Sequence, residues 1–237
     1  MAEPGASTRL IVLGCVRIFQ PVHGYFLRRE LTSWQVDAWA NVHPGSIYGA
    51  LRSLTRDGVL EEVRTTTATN RPTRTSYRLT PAGEDEFFAL LRRGLLELDD
   101  PPSFLAALNL SDALPRDEVL RALRARVVML EGKAAYEESF ADEIVAARET
   151  PDSASELPRM MAARTRGELD WLRGLVVRLE GGAYSYAGEP AAWEPSAEAI
   201  ANVMAAGVGR AAVVVDALAE APGASSPPSG PERRQDA

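Results

Sequence analysis

Arg52 and Arg56 fall one helical turn apart, and Arg71 and Arg74 follow in a stretch that also carries Asn70, while Ser46, Tyr48 and Ser53 precede or interleave them. Guanidinium groups accompanied by hydroxyl and amide donors are the chemistry that meets phosphate oxygens and guanine edges. The bland alternative for arginines is a solvated cationic face, and the elements that carry them decide between the two. Other chemistries have thinner support. His23 and His43 are the only histidines and Cys15 the only cysteine, too few for a familiar closed zinc site without several carboxylates. No phosphate-cradling glycine loop, nucleophile elbow or zinc-protease motif occurs, and acidic neighbours such as Glu61 and Glu62 sit in ordinary polar sequence. No cofactor, metal or catalytic group is expected.

The chain of 237 residues has a net charge of -7, which taken whole argues against a nucleic-acid partner. The charge is unevenly divided, however. Residues 1–80 hold 10 Arg against 6 acids, a balance of +4, and residues 81–237 hold 16 basic against 27 acidic groups, a balance of -11. An anionic partner would therefore be met by the front of the chain and repelled by the rest. Hydrophobic residues make up 46% and charged residues 25%, proportions of a protein with a core. No apolar run approaches the roughly 20 residues that cross a bilayer, and residues 1–8 lack a secretory pattern. A single cysteine suits a reducing compartment, so a cytoplasmic location is expected.

The positioning elements can be read from periodicity. Leu10, Ile11, Leu13 and Ile18 predict a first helix ended by Pro21, and Tyr25, Phe26, Leu27 and Leu31 a second from 23 or 24 to about 31. Pro44 is placed to open a third, over 44–56, with Ile47, Leu51 and Leu54 on one face and Ser46, Gly49, Arg52, Ser53 and Arg56 opposite. Asp57 and Gly58 stop it. Alternation over 59–64 and 75–79 predicts two strands around an exposed, cationic loop at 65–74 holding Asn70, Arg71 and Arg74. Three helices and a hairpin make a winged helix-turn-helix.

Thr80 and Pro81 cap a helix that Asp99 to Pro102 should close. A long helix is expected over 115–148, with Leu120, Leu123, Val127 and Leu130 spaced as a seam that wants a partner helix; another over 155–179 repeats it with Leu169, Leu172, Val176 and Leu179. These eight residues are the expected dimerisation set. A last helix is expected over 196–219, and 221–237, rich in Ser, Pro and Gly, as a disordered tail. The organisation is then mainly α with a small β-hairpin: a DNA-binding unit at 7–98, a helical dimerisation and effector region at 103–220, and the tail.

Three motifs in order carry a resemblance. Gln20-Pro21-Val22-His23-Gly24-Tyr25, then Gly45-Ser46-Ile47-Tyr48-Gly49-Ala50-Leu51 with Asp57-Gly58-Val59-Leu60, then Arg71-Pro72 before Tyr77-Arg78-Leu79-Thr80-Pro81-Ala82-Gly83 together resemble the PadR family of transcriptional regulators. Gly49 stands where that family has a proline, and the wing is one residue longer. Arg166-Gly167-Glu168-Leu169-Asp170-Trp171-Leu172 is similar to a segment of its larger members, whose C-terminal helices dimerise. The resemblance implies a DNA-binding regulator, a repressor acting as a homodimer on a pseudo-palindromic operator in double-stranded DNA, with no membrane partner. The expected DNA-contact set is His23, Gly24, Tyr25, Ser46, Tyr48, Gly49, Arg52, Ser53, Arg56, Asn70, Arg71 and Arg74. A small-molecule effector, if there is one, is expected near Trp171 and Trp193. The competing reading is a winged-helix protein-interaction adaptor that binds no DNA; a small-molecule enzyme would need an acid-base constellation that is not found.

Overall fold

The computed structural model describes residues 5–64 and 75–190. Helix α1, Ala6–Phe19, is buried over Leu10 to Val16 and takes contacts from helices on several sides. A helix apolar nearly all round belongs in the middle of a core. Strand β1, Val22–His23, leads into α2, Gly24–Ser33, followed by a single turn of helix, α3, Val36–Trp39. Helix α4, Ile47–Arg56, then precedes strands β2, Leu60–Arg64, and β3, Thr75–Leu79. The antiparallel sheet has the order β1-β3-β2, with Leu60 opposite Leu79 and Val22 opposite Tyr77. The fold is mainly α with a small sheet, a winged helix-turn-helix, and β1 is a strand that two residues of pattern could not announce.

In α4, Ile47, Leu51 and Leu54 are fully buried against α1 and its neighbours. It starts three residues later than expected. Ser46 donates from both its amide and its hydroxyl to the His43 carbonyl, at 2.9 and 2.7 Å, so 44–46 close a turn and Pro44 is not the first helical residue. At the other end Gly58 has φ 76°, a left-handed conformation that side chains resist.

Helix α5, Pro81–Leu96, is capped by the Thr80 hydroxyl, which accepts from the Gly83 amide at 3.1 Å and donates to the Gly58 carbonyl at 2.8 Å. One residue thus ties the start of α5 to the end of α4. Gly83 is required by a close approach: a Cβ there would lie 2.1 Å from the Val59 carbonyl oxygen and 2.8 Å from Leu79 Cδ2. Overpacking of this kind costs about 3 kcal/mol, and the better helix propensity of alanine returns about 1, so Gly83→Ala should lower unfolding stability by roughly 2 kcal/mol. Chemical denaturation of the full chain measures it, and an unchanged midpoint would mean that α5 is not wedged against α4's exit.

Helix α5 ends ahead of Asp99 to Pro102, and the same prolines also open a further helix that periodicity did not announce, α6, Pro101–Asn109, because proline fits a first helical turn. A 3-10 turn, Ser111–Ala113, leads to α7, Arg116–Ala147, and a second, Asp152–Ser155, to α8, Glu156–Glu180. Cross-pairs such as Arg124 with Glu180, Arg126 with Glu168 and Arg166 with Glu138 run in opposite directions, so α7 and α8 form an antiparallel hairpin.

The apolar seam expected to seek a second chain closes inside this one. Leu123, Leu130, Leu169, Leu172 and Leu179 are buried, and Leu120, Val127 and Val176 half-buried against the same core. The partner helix of α7 is α8. The buried line on α7 also passes through Arg126 and Glu137, polar positions that periodicity places outside. Each is satisfied. Thr165 donates to Glu137 at 2.7 Å, and Arg126, only 1% exposed, donates from Nε to Glu168 at 2.9 Å and from a terminal nitrogen to the Glu97 carbonyl at the end of α5. Its guanidinium lies 3.6 Å from the Phe104 ring centroid. Burial pulls Arg126 below the ordinary arginine range, with Glu168 opposing. Arg126 therefore bolts the hairpin to α5 and α6. The last helix expected at 196–219 and the tail at 221–237 lie outside the described residues.

Candidate nucleic-acid interface

Three sequence motifs far apart in the chain meet at one face. Gln20 Oε1 accepts from the Leu79 amide at 2.9 Å, Val22 and His23 pair with Tyr77 and Ser76, and His23 Nδ1 lies 2.9 Å from Ser76 Oγ and 3.2 Å from the Thr75 carbonyl oxygen. The start of α2 is thereby stitched to the root of the wing. Gly24 is buried under α4: a Cβ there would stand 3.1 Å from Tyr48 Cε1 and 3.3 Å from Leu51 Cδ1. Between α2, α4 and β3 opens a cleft of about 870 Å³, walled by Tyr25, Phe26, Arg29, Tyr48, Thr75 and Tyr77. Burial, then Glu62, holds the Tyr77 hydroxyl protonated above the ordinary tyrosine range, with Arg52 opposing. That opposition places Arg52 on the same surface.

The arginines divide into two classes. Arg9 bridges Asp57 at 2.8 Å and Glu86 at 2.6 Å, joining α1 to α4's end and to α5; its hydrogen bond holds the Asp57 carboxyl below the usual carboxylate range. Arg17 pairs with Glu84 at 3.0 Å and lies over Phe87 and Phe88. Arg78 pairs with Glu61 at 2.6 Å across the hairpin. These charges are committed to the fold. Arg28, Arg29 and Arg52 have no carboxylate partner among the described residues; Arg28 and Arg29 lie only over the rings of Tyr25 and Phe26, at 5.9 and 5.1 Å. Arg56 is intermediate. It donates to Ser53 Oγ at 3.0 Å and sits 3.6 Å from Asp57 with 77% of its side chain exposed, a pairing weak enough to be exchanged.

Of the expected DNA-contact set, the structure brings Gly24, Tyr25, Tyr48 and Arg52 to this face, with Tyr25 64% and Tyr48 40% exposed. His23 is half-buried with its Nδ1 bonded to β3, Gly24 is buried beneath Tyr48, and both line the cleft. Ser46 is exposed with its hydroxyl on the His43 carbonyl, and Ser53 accepts from Arg56. Gly49 is open: nothing lies within 4 Å of where its Cβ would be. Asn70, Arg71 and Arg74 lie outside the described residues. Periodicity missed Arg28, Arg29 and Tyr77, although Arg28 and Arg29 follow Tyr25 by three and four, the spacing of one helical face. Of the two tryptophans expected near an effector, Trp193 lies outside the described residues. Trp171 is 44% exposed on the outer side of α8 and lines no part of the hairpin interior. Among the described residues no group of three His, Cys, Asp or Glu side chains is placed to hold a metal ion, and no helix is long and apolar enough to cross a membrane.

Residues 12–89, which contain all three motifs and the cleft, match the family described as the transcriptional regulator PadR-like family. This segment is a PadR-like domain. No curated protein matches the chain in sequence. Among solved structures, Bacillus subtilis PadR in complex with operator DNA is 20% identical over 75% of this chain and 99% of that one, with a TM-score of 0.35. A PadR-like transcriptional regulator from Bacillus cereus is 15% identical over 75% and 97%, with a TM-score of 0.34. The PadR-like domain runs from within α1 into α5, so it takes in the helix that Arg9 and Arg17 clamp from the other side.

Proposed function

We propose that the chain is a sequence-specific, DNA-binding transcriptional regulator that acts as a homodimer on a pseudo-palindromic operator and represses by occluding the promoter. The observation that carries this reading is the division of the arginines: within a PadR-like domain, Arg52 on the outer face of α4 has no carboxylate partner among the described residues while Arg17 and Arg78 are neutralised, as is Arg9 just ahead of the domain. An unpaired guanidinium on the solvent-facing side of a helix is what base edges in a major groove accept. Arg56, Tyr25, Tyr48 and the wing residues Asn70, Arg71 and Arg74 supply phosphate and groove contacts around it.

The homodimer rests on the outer surface of the hairpin. Val128, Tyr136, Leu157, Met160, Trp171 and Val177 are each 44 to 69% exposed there, more apolar surface than one helical pair ordinarily leaves in water. An effector that contacts Trp171 would do so on this outer side and would act by favouring one separation of the two α4 helices over another.

Selection of fragments from a random duplex pool by the purified full chain tests the reading. A recovered motif with two inverted half-sites supports it. Recovery of no enriched sequence would overturn it and favour a protein-interaction adaptor.

A further inference from the structure

The cleft beside α4 is more than a space between elements. Arg29 enters it from α2, and its Nε is buried without a hydrogen-bond partner among the described residues. Its guanidinium lies over the Phe26 ring at 5.1 Å, an arrangement that steers the group by one flat side and leaves its edge donors directed elsewhere. A buried charged donor without an acceptor is costly, and the oxygen it lacks must come from outside the described residues, from water or from a ligand. Three phenols, Tyr25, Tyr48 and Tyr77, stand around the same space. The site thus offers one planar cation, hydroxyl donors and aromatic walls, with no carboxylate among the described residues that line it.

We propose that Arg29 binds a backbone phosphate of the DNA whose bases α4 reads, so that the cleft seats one phosphodiester and the adjoining sugar at each half-site. This rests on the DNA-binding reading above and adds a residue to it. The occupant is a phosphodiester because the cleft is continuous with α4 through Tyr48, which lines it four residues ahead of Arg52 on the same exposed side of that helix. A duplex laid along α4 brings backbone oxygens to this edge. Arg29 carries no base information in this arrangement; it fixes register.

The test uses the full-length protein, a labelled duplex recovered by selection and a labelled random-sequence duplex, in fluorescence anisotropy across a salt series. Arg29→Gln should weaken binding to both duplexes alike and reduce the slope of log affinity against log salt by about 0.9 per half-site. For two half-sites, the variant should lose about twelvefold less affinity than wild type between 50 and 200 mM salt. Arg29→Lys should keep the wild-type slope. An unchanged slope with Arg29→Gln, in a protein whose Arg52→Ala variant does lose operator affinity, would overturn the phosphate site and leave the DNA-binding reading intact. Loss of operator preference without loss of slope would also overturn it. If wild-type protein binds neither duplex, both readings fall. Should Arg29→Gln not fold, phenylglyoxal modification of the wild-type chain, mapped by mass spectrometry, decides: bound duplex must protect Arg29, and equal modification with and without DNA overturns the proposal.

Discussion

Replacing Glu168 by alanine is expected to destabilise the chain by about 3 kcal/mol, near the low end of the range for breaking a buried ion pair. Arg126 is 1% exposed, so without Glu168 its charge stays in the interior with the Glu97 carbonyl and the Phe104 ring as its remaining neighbours. The low end applies because a third of the Glu168 side chain is in contact with water, and solvent entering there can screen part of the orphaned charge. Glu180→Ala is the matched control. It breaks the Arg124 ion pair on the same two helices, whose side chains are 56% and 44% exposed, and should cost under about 1 kcal/mol. Denaturant melts of the two variants and wild type make the comparison. Equal small losses would show that Arg126 is solvated and that the hairpin is not anchored to α5 through it.

Arg52→Ala should cost about 1 to 3 kcal/mol of operator binding at each half-site, hence about 2 to 6 kcal/mol for a dimer on its full site. The argument depends on what Arg52 does in the free protein. It has no carboxylate partner among the described residues, so its removal should leave the fold unchanged, and any loss in DNA affinity belongs to the contact itself. A guanidinium that reads a guanine edge also carries preference, and the substitution should relax sequence selection at one base pair per half-site. Arg56→Ala should have a smaller effect because Ser53 and Asp57 already hold that side chain in part. Anisotropy with selected and mismatched duplexes reads both quantities. If a folded Arg52→Ala dimer keeps affinity and discrimination, the outer face of α4 does not read bases, and the adaptor reading gains.

These two experiments probe opposite ends of one rigid connection. Arg9 and Arg17 clamp α1 to α4's exit and to α5, while Arg126 clamps α5 and α6 to the hairpin. The partners of Arg9 and Arg17 on α5, Glu86 and Glu84, tie that helix to α1 in packing, as the PadR-like match ties them in sequence.

Much of this was legible in the chain because its causes are local. Ile47, Leu51 and Leu54 mark the buried face of α4 by spacing alone, and their complete burial follows from it. Thr80 with Pro81 announces the cap that the Gly83 amide completes. The ends of α7 and α8 fall within a residue or two of where periodicity and the Gly181-Gly182 pair put them. Failures came where a local signal has two meanings. Pro101 and Pro102 can end one helix and begin another, and only the packing of α6 on α1 and α5 showed the second meaning.

By itself, then, the sequence determined the helix faces, the caps, the three ordered motifs and the positive balance of residues 1–80, because each can be read along the chain without knowing which residues meet. Only the tertiary structure decided which of those arginines are available. Arg9 finds Asp57 and Glu86, 48 and 77 residues away, whereas Arg29 and Arg52 find no carboxylate among the described residues. It likewise decided that the leucine seam of α7 is closed by α8, with Arg126 and Glu137 inside it. The reason is that pairing and burial are set by distance in space. Chain folding brings together charges that no periodicity relates, and a residue's freedom to meet a partner is what remains after those encounters are made.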